Sequence, residues 1–408
     1  MNVLAMVMAG GCGNRLAPLT NDRAKPAVPF GSVYRIIDFV VTNLYNSGVY
    51  KIALLTQHKP DSLNRHVMEG YMGVFGSRRH SYMEIHHPAG APYQGTADAV
   101  YKNLDLIGRE NFDIVDVFGA DHIYRMNVAQ MHDFHLDREA DATISVMPVG
   151  IDMARGQLGV VVVDKDGRVI DFEEKPENPT PMPGDSSKCL ISMGNYSFKP
   201  TSLVMALRQN PEDFGKHVFP WMICQKVRLF AYDFLQNNIQ GIRPEEVRYW
   251  RDVGTLRQFY DAHMDMLGEN PVLRLQHQKW RMLTNIELPE PSRTAGRGLS
   301  LDSILANGVW VHDDAEVRRS VVSYGVEVLH GATVRDSILM GYVVVGKDSV
   351  IKNAIIDRGK RNQQEVKKIP PRTLVGVDLD HDRKRGFTVE EWEDGRRVTV
   401  VPRSYEFK

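Results

Sequence analysis

The sequence predicts a two-part protein: an α/β domain built on a mixed, mostly parallel sheet, followed by a smaller domain in the form of a parallel β-helix. Three observations support this prediction. The chain has 408 residues, more than a single hydrophobic core usually supports. Up to about residue 150, short apolar runs alternate with segments of helical period. Near the carboxyl terminus the helical period disappears, and aliphatic residues recur about every six positions.

The amino-terminal part shows the rhythm of βαβ units. Apolar runs at 3–9, 51–55 and 114–118 are short enough for strands and lack polar alternation, as expected for parallel strands covered by helices on both faces. Residues 35–47 carry apolar side chains at helical spacing and are followed by Gly48, a residue typical of a helix C-terminus. This segment is therefore predicted to be a crossover helix.

The carboxyl-terminal part is predicted to begin after a proline-rich linker. We place the first domain at 1–285, the linker at 286–298 and the β-helix at 299–408. Six-residue spacing predicts coils of eighteen residues with three strands each, although the spacing slips between Val317 and Val322. Ordinary antiparallel strands are the alternative. The predicted core positions are Val322, Val328, Val334, Ile338, Val344, Val350 and Ile356.

Composition narrows the class of function. The formal net charge is −1, so no overall positive field attracts nucleic acid or anionic lipid. The three cysteines have no CxxC spacing, which favours a reducing compartment and argues against a zinc site. No apolar stretch reaches membrane-spanning length, and the first apolar run lacks a basic leader. We therefore expect a cytoplasmic protein that binds small ligands at local sites.

A glycine-rich loop follows the first apolar run. Gly10, Gly11 and Gly13 allow the backbone to turn sharply and to bring N–H groups against phosphate oxygens, and Arg15 adds charged donors. The loop matches neither the P-loop pattern nor the dinucleotide fingerprint. Taken alone, it is equally compatible with an ordinary turn.

The loop and the motifs that follow it closely resemble those of glucose-1-phosphate adenylyltransferases, also called ADP-glucose pyrophosphorylases. The resemblance implies a Rossmann-like nucleotidyltransferase domain, a left-handed parallel β-helix, a homotetramer and a role in glycogen synthesis. It covers nearly the whole chain, and the motifs occur in the family's order. They lie at 9–16, 23–31, 34–39, 95–99, 119–124, 172–176, 192–194 and 249–255.

The resemblance implies that ATP and α-D-glucose 1-phosphate react to form ADP-glucose and diphosphate. Positioning and electrostatics are the main tasks of a protein in such a reaction, because every reacting group is anionic. A Mg²⁺ ion is the implied cofactor, with Asp121 and Asp252 as its ligands. Outside this context, an aspartate at a strand end is more often a turn residue or a helix N-cap.

The resemblance also assigns roles to further residues. Their alternative roles are ordinary ones: basic loop residues and the cluster at 173–175 are often only solvated, and Tyr93 could be a structural core residue. Some relatives carry arginine at the position of Gln94, so this chain departs from the family pattern there. Arg15 and Lys25 are implied to contact the triphosphate and to act in catalysis together with Asp121. Nucleotide binding is implied for Gln57, Tyr93, Gly95 and Thr96, and sugar-phosphate binding for Gly159, Glu174, Lys175 and Ser192.

Regulation is a second point of departure. Family members commonly respond to phosphorylated metabolites through basic residues, and some carry lysine where this chain has Asp22. An acidic residue there would repel such an effector. Arg23 and Arg35 remain as candidate effector contacts, so we expect weaker activation than in those members.

Three alternative functions remain. The chain could use another nucleotide, such as UTP or dTTP, or an amino-sugar phosphate. It could be a catalytically silent regulatory subunit, although Lys25, Asp121 and Lys175 argue against this. The β-helix could be an acyltransferase, but His312 and His330 fit structural roles better than catalytic ones.

Overall fold

The computed structural model describes residues 1–285, 290–359 and 366–407. The chain divides into two compact units, each assembled from separate segments. The first unit comprises Met1–Gly11, Phe39–Trp250 and His277–Leu283; the second comprises Cys12–Asp38, Arg251–Gln276 and Thr284–Lys408. Residues 286–289 of the predicted linker lie outside the described residues. The domain boundaries at 285 and 299 stay a prediction.

The first unit is built on a mixed sheet, as predicted. The described strands have the order β7-β6-β8-β4-β1-β2-β3, and β5 pairs with β8 and β9. Strands β4, β1, β2 and β3 are mutually parallel, whereas β8 runs antiparallel to β4 and β5. The strands are β1 (Val3–Met8), β2 (Lys51–Leu55), β3 (Tyr82–His86), β4 (Ile114–Gly119), β5 (Ala142–Gly150), β6 (Val160–Val163), β7 (Val169–Glu173), β8 (Lys188–Phe198) and β9 (Leu229–Asp233).

Helices pack against the sheet because its central strands are apolar on both faces. All of β2 is buried, and so is β1 up to Val7. The predicted crossover helix is observed as α1. The helices of the first unit are α1 (Ile37–Asn46), α2 (Asp61–Gly70), α3 (Met72–Gly76), α4 (Thr96–Tyr101), α5 (Val128–Asp137), α6 (Ile151–Ala154), α7 (Pro200–Leu207), α8 (Phe219–Cys224) and α9 (Pro244–Val247), and those of the second unit are α10 (Leu256–Met264) and α11 (Leu379–Lys384). Among the described residues, none of these helices is both long and apolar enough to cross a lipid bilayer.

The carboxyl ends of the parallel strands determine where the loops of the first unit gather. Met8 of β1 lies beside both Leu55 of β2 and Gly119 of β4. The glycine loop, the loop after β2 and the loop after β4 therefore leave the sheet at one edge. In open α/β sheets this edge is the usual ligand-binding edge.

The second unit contains the parallel β-helix. Its strands form three sheets, β10-β13-β16-β19-β22, β11-β14-β17-β20-β23 and β12-β15-β18-β21-β25-β24, in which only β24 is antiparallel among the described pairs. The first strand lies within the range predicted as linker. The strands are β10 (Arg293–Thr294), β11 (Leu299–Leu301), β12 (Ile304–Leu305), β13 (Trp310–Val311), β14 (Glu316–Arg318), β15 (Val321–Val322), β16 (Glu327–Val328), β17 (Thr333–Arg335), β18 (Ile338–Leu339), β19 (Val343–Val345), β20 (Val350–Lys352), β21 (Ala354–Ile356), β22 (Lys367–Ile369), β23 (Leu374–Val375), β24 (Thr388–Glu391) and β25 (Arg397–Val401).

The coil of this β-helix corrects the predicted period. The coils repeat every 17 residues rather than eighteen from Leu299 to Val350, as the strand pairs Leu299–Glu316, Glu316–Thr333 and Thr333–Val350 show. One side of each coil is shorter by a residue, which explains the slip before Val322. For the same reason Val345 and Ile351 are fully buried, whereas the predicted core positions Val344 and Val350 are only partly buried.

Candidate active site

Lys25 and Asp252 form a largely buried ion pair in the second unit. The Lys25 Nζ lies 3.0 Å from Asp252 Oδ1, and the lysine is 6% exposed. Lys25 begins a short 3₁₀ turn, Lys25–Ala27, in which Pro26 restricts the backbone. Burial of this kind is unusual for a lysine without a specific partner. The two residues are 227 positions apart in the sequence, and the folded chain brings them into contact.

The glycine loop shapes the surroundings of this pair. Gly13 has a φ of +64°, and a Cβ there would lie 2.9 Å from the Cβ of Lys25, so both the conformation and the space require glycine. Arg15 is 61% exposed, with Nη2 4.0 Å from Asp252 Oδ2. A Cβ on Gly254 would lie 3.0 Å from the same carboxylate oxygen. The Asp252 carboxylate thus lies close to two cations, those of Lys25 and Arg15.

Asp121 lies in the first unit, just beyond the end of β4. Its side chain is partly exposed, and His122 Nε2 lies 3.5 Å from its Oδ1. The ring of His122 rests against Trp250, with centroids 5.1 Å apart. Ala120 donates its backbone N–H to Met8 O of β1, which fixes the segment beside the start of the glycine loop. Asp121 and Asp252 belong to different units, and their joint role as metal ligands stays a prediction.

Gln57 and Tyr93 are linked to each other. The Gln57 amide donates to Tyr93 O at 3.2 Å, and its Oε1 accepts the Tyr93 backbone N–H. The Tyr93 hydroxyl accepts from Asn103 Nδ2 at 2.9 Å, and burial raises the pKa of Tyr93. A Cβ on Gly10 would lie 3.3 Å from the Cβ of Gln57. Gln57 therefore holds the 93 loop near the glycine loop, while contact with a nucleobase stays a prediction.

Gly95 and Thr96 stand at the start of α4. A Cβ on Gly95 would lie only 2.3 Å from Glu212 O, so glycine is required here for space alone. The Thr96 hydroxyl donates to Asp213 Oδ2 at 3.0 Å and accepts from the Phe214 N–H at 3.2 Å. Both residues thus contact the segment at 212–214. Sequence reasoning assigned them to nucleotide binding only.

The predicted sugar-side residues do meet in the first unit. Ser192 donates its backbone N–H to Gly159 O at 2.9 Å, and its hydroxyl lies 3.2 Å from that of Tyr196. A Cβ on Gly159 would lie 3.4 Å from Glu174 Oε2. Glu174, Ser192 and Gly159 therefore line one small region beside the start of β6, the end of β7 and the middle of β8.

Lys175 extends from the same region toward solvent. It is 57% exposed, has a φ of +51° and places Nζ 3.4 Å from Glu174 Oε1. Sequence reasoning missed Tyr196 and Gly215 beside this region. The even spacing of Ser192 and Tyr196 in one strand was a signal for the first, because alternate strand residues share a face. No sequence signal pointed to Gly215.

The candidate effector contacts have structural partners in the second unit. Arg23 is 1% exposed, forms an ion pair with Asp357 and donates Nε to Leu19 O at 2.9 Å. Burial and the neighbouring Arg358 lower the pKa of Arg35 to about 10. Asp22 accepts from Arg403 at 3.1 Å. Arg23 is thus built into the core of this unit, and effector binding by either arginine stays a prediction.

Comparison with known proteins gives results that match the fold. The family model of the nucleotidyl transferases matches residues 4–269, and the model of the GlmU-like C-terminal hexapeptide repeat matches residues 291–401. The chain is 42% identical to the glucose-1-phosphate adenylyltransferase of Geobacter metallireducens, over 96% of this chain and 95% of that protein. It is 41% identical to that of Deinococcus deserti over 99% of both chains. For the protein of the same name from Thermodesulfovibrio yellowstonii, identity is 38% over 99% and 97% of the two chains.

Proposed function

The chain belongs to the family of glucose-1-phosphate adenylyltransferases, and we propose that its site performs that reaction by positioning and electrostatics alone. ATP and α-D-glucose 1-phosphate yield ADP-glucose and diphosphate. The observation that carries the proposal is the buried Lys25, held against Asp252 beside the glycine loop. A buried cation next to a glycine-rich turn suits a substrate in which charge grows on a leaving diphosphate.

The chemical step requires one phosphate oxygen of the sugar substrate to attack the α-phosphorus of ATP in line, with loss of diphosphate. The N–H groups of Gly10, Gly11 and Gly13 are proposed to hold the triphosphate. Arg15 and Lys25 would then offset the charge that develops on the departing diphosphate. The Lys25 side chain needs little reordering because it is already fixed by burial, which favours the transition state.

Asp121 and Asp252 are the proposed ligands of a Mg²⁺ ion. The donor set fits such an ion, because both side chains offer the hard carboxylate oxygens that Mg²⁺ prefers. When bound, the ion would neutralise phosphate charge. Asp252 would thus serve both the ion and the placement of Lys25.

The sugar phosphate is proposed to bind beside the start of β6, the end of β7 and the middle of β8. Lys175 extends into solvent, where it can reach a phosphate. The Glu174 carboxylate and the Ser192 hydroxyl would hydrogen-bond glucose hydroxyls, and Gly159 leaves space for the sugar. Gln57, Tyr93, Gly95 and Thr96 would shape the nucleotide side.

Assembly, regulation and location belong to the same proposal. The homotetramer and the role in glycogen synthesis are proposed from the family resemblance, and the cytoplasmic location is proposed from the cysteine spacing, which favours a reducing compartment. We propose that activation by phosphorylated metabolites is weak, because Arg23 is paired with Asp357 and Asp22 adds negative charge nearby. Fructose 1,6-bisphosphate titrations of the wild type and of Arg35→Ala would test this: strong activation that Arg35→Ala abolishes would contradict it.

The deciding experiment is a coupled assay of diphosphate release across several nucleotides and sugar 1-phosphates. We expect turnover only with ATP and glucose 1-phosphate, and its abolition in Asp121→Asn without loss of fold by circular dichroism. Preference for UTP or dTTP would indicate another nucleotidyltransferase. No turnover with any pair would favour a regulatory subunit. Retained turnover in Asp121→Asn would refute the metal assignment.

A further inference from the structure

A short segment, Glu212 to Gly215, lies between α4 and the predicted sugar-binding carboxylate within the first unit. On one side, Glu212 O accepts the backbone N–H groups of Ala97 at 3.0 Å and Asp98 at 3.2 Å. The same oxygen occupies the space that a Cβ on Gly95 would need. The segment is therefore fastened to the first turn of α4 by the backbone itself.

The hydroxyl of Thr96 adds a second attachment. It donates to Asp213 Oδ2 at 3.0 Å and accepts from Phe214 N at 3.2 Å. Asp213 in turn accepts the Lys216 N–H at 3.1 Å through its other carboxylate oxygen, which begins the π-helical turn Phe214–Val218. One such turn inside a helix often marks a functional site. The only proton that the Thr96 hydroxyl can donate is thus used within the protein.

On its other side the segment contacts the sugar region through Gly215. A Cβ there would lie 2.6 Å from Glu174 Oε2 and 2.7 Å from Phe172 Cε1. Phe172 cannot retreat easily, because it is buried against Phe219 with ring centroids 5.1 Å apart. The outer end of the Glu174 side chain is the group that would yield. The absence of a side chain at Gly215 therefore leaves free the space that this carboxylate occupies.

We propose that Thr96 and Gly215 are positioning residues for the sugar phosphate, acting through the segment 212–215 on the Glu174 carboxylate. Thr96 lies among the predicted nucleotide-binding residues, yet its hydroxyl holds the segment that contacts the predicted sugar-binding carboxylate. This inference rests on the proposed function for the role of Glu174. It adds that one segment, four residues long, contacts both the start of α4 and the Glu174 carboxylate.

The first test compares Thr96→Val with Thr96→Ser in steady-state kinetics for each substrate. Valine has the shape of threonine but loses both hydrogen bonds, so we expect about a tenfold rise in the KM for glucose 1-phosphate. The KM for ATP should change less than twofold, and serine, which keeps the hydroxyl, should restore the wild-type value. A rise in the KM for ATP alone, or no change in either, would overturn the inference.

The second test uses Gly215→Ala with Gly73→Ala as the control, since Gly73 lies in α3, where an added Cβ would meet no neighbouring atom within 4 Å. We expect only Gly215→Ala to raise the KM for glucose 1-phosphate. In a double-mutant cycle with Glu174→Ala, its effect should disappear, because both changes act on one carboxylate. Additive effects would overturn the inference. Absence of ADP-glucose formation by the wild type would instead refute the proposed function.

Discussion

Replacement of Lys25 by methionine tests the centre of the proposed site. Methionine keeps most of the length of the side chain and fits the buried 3₁₀ turn, but it removes the cation that lies 3.0 Å from Asp252 Oδ1. Asp252 then keeps Arg15 as a neighbour, at 4.0 Å and largely exposed. The substitution therefore separates two effects: the loss of an ion pair in the folded protein, and the loss of a donor in the transition state.

The structure sets the size of each effect. Removal of one partner from a fully buried ion pair costs about 3–5 kcal/mol, but Asp252 is partly exposed and keeps a second cation, so we expect a loss of about 2 kcal/mol in unfolding free energy. Removal of a preorganised donor to a developing negative charge typically lowers kcat by about 10²–10³-fold. The kinetic effect should thus far exceed what the change in stability could produce at 25 °C.

Urea denaturation and a diphosphate-release assay measure the two quantities separately. Lys25→Arg is the matched control, because it keeps the charge while changing its shape, and we expect it to lose less of both. In the Asp252→Asn background, Lys25→Met should no longer cost stability, since its partner is gone. The reasoning fails if Lys25→Met retains kcat within threefold of the wild type, or if the two stability losses simply add.

Two further predictions concern the second unit. Arg23→Met should lower the unfolding free energy by about 3–5 kcal/mol, because it leaves the buried Asp357 carboxylate without its cation; urea denaturation with a loss under 1 kcal/mol would contradict this. Burial lowers the pKa of His263 to about 4, and its Nε2 accepts from Gly31 N at 3.2 Å while Nδ1 contacts Phe259 O. As the pH falls below about 6.5, the unfolded chain binds a proton at this residue before the folded protein does. The free energy of unfolding should therefore be unaffected above about pH 6.5 and fall by about 3 kcal/mol toward pH 4. His263→Asn should flatten that part of the pH profile, and an unchanged slope would refute the assignment.

Much of the fold could be predicted from the sequence because it depends on local periodicity. Apolar runs such as 114–118 correspond to buried strands, and the segment 35–47 forms a helix before Gly48. The repeat of aliphatic residues indicated a parallel β-helix for the same reason. Its coil length was wrong by one residue, since the sequence alone does not show which side of each coil is shorter. Val345 and Ile351, rather than their predicted neighbours, therefore fill the core.

The roles of single motifs came from the family resemblance, whereas the arrangement of those motifs came from the structure. The resemblance assigned the loop glycines, Asp121, Asp252 and the basic residues at 15 and 25 to phosphate and metal binding, and these roles stay predictions. That Lys25 pairs with Asp252, that Arg23 pairs with Asp357 and that Gly215 abuts Glu174 depends on contacts between distant segments. Local sequence sets backbone conformation and the alternation of faces, but the packing of whole elements decides which side chains meet, and only the tertiary structure contains that information.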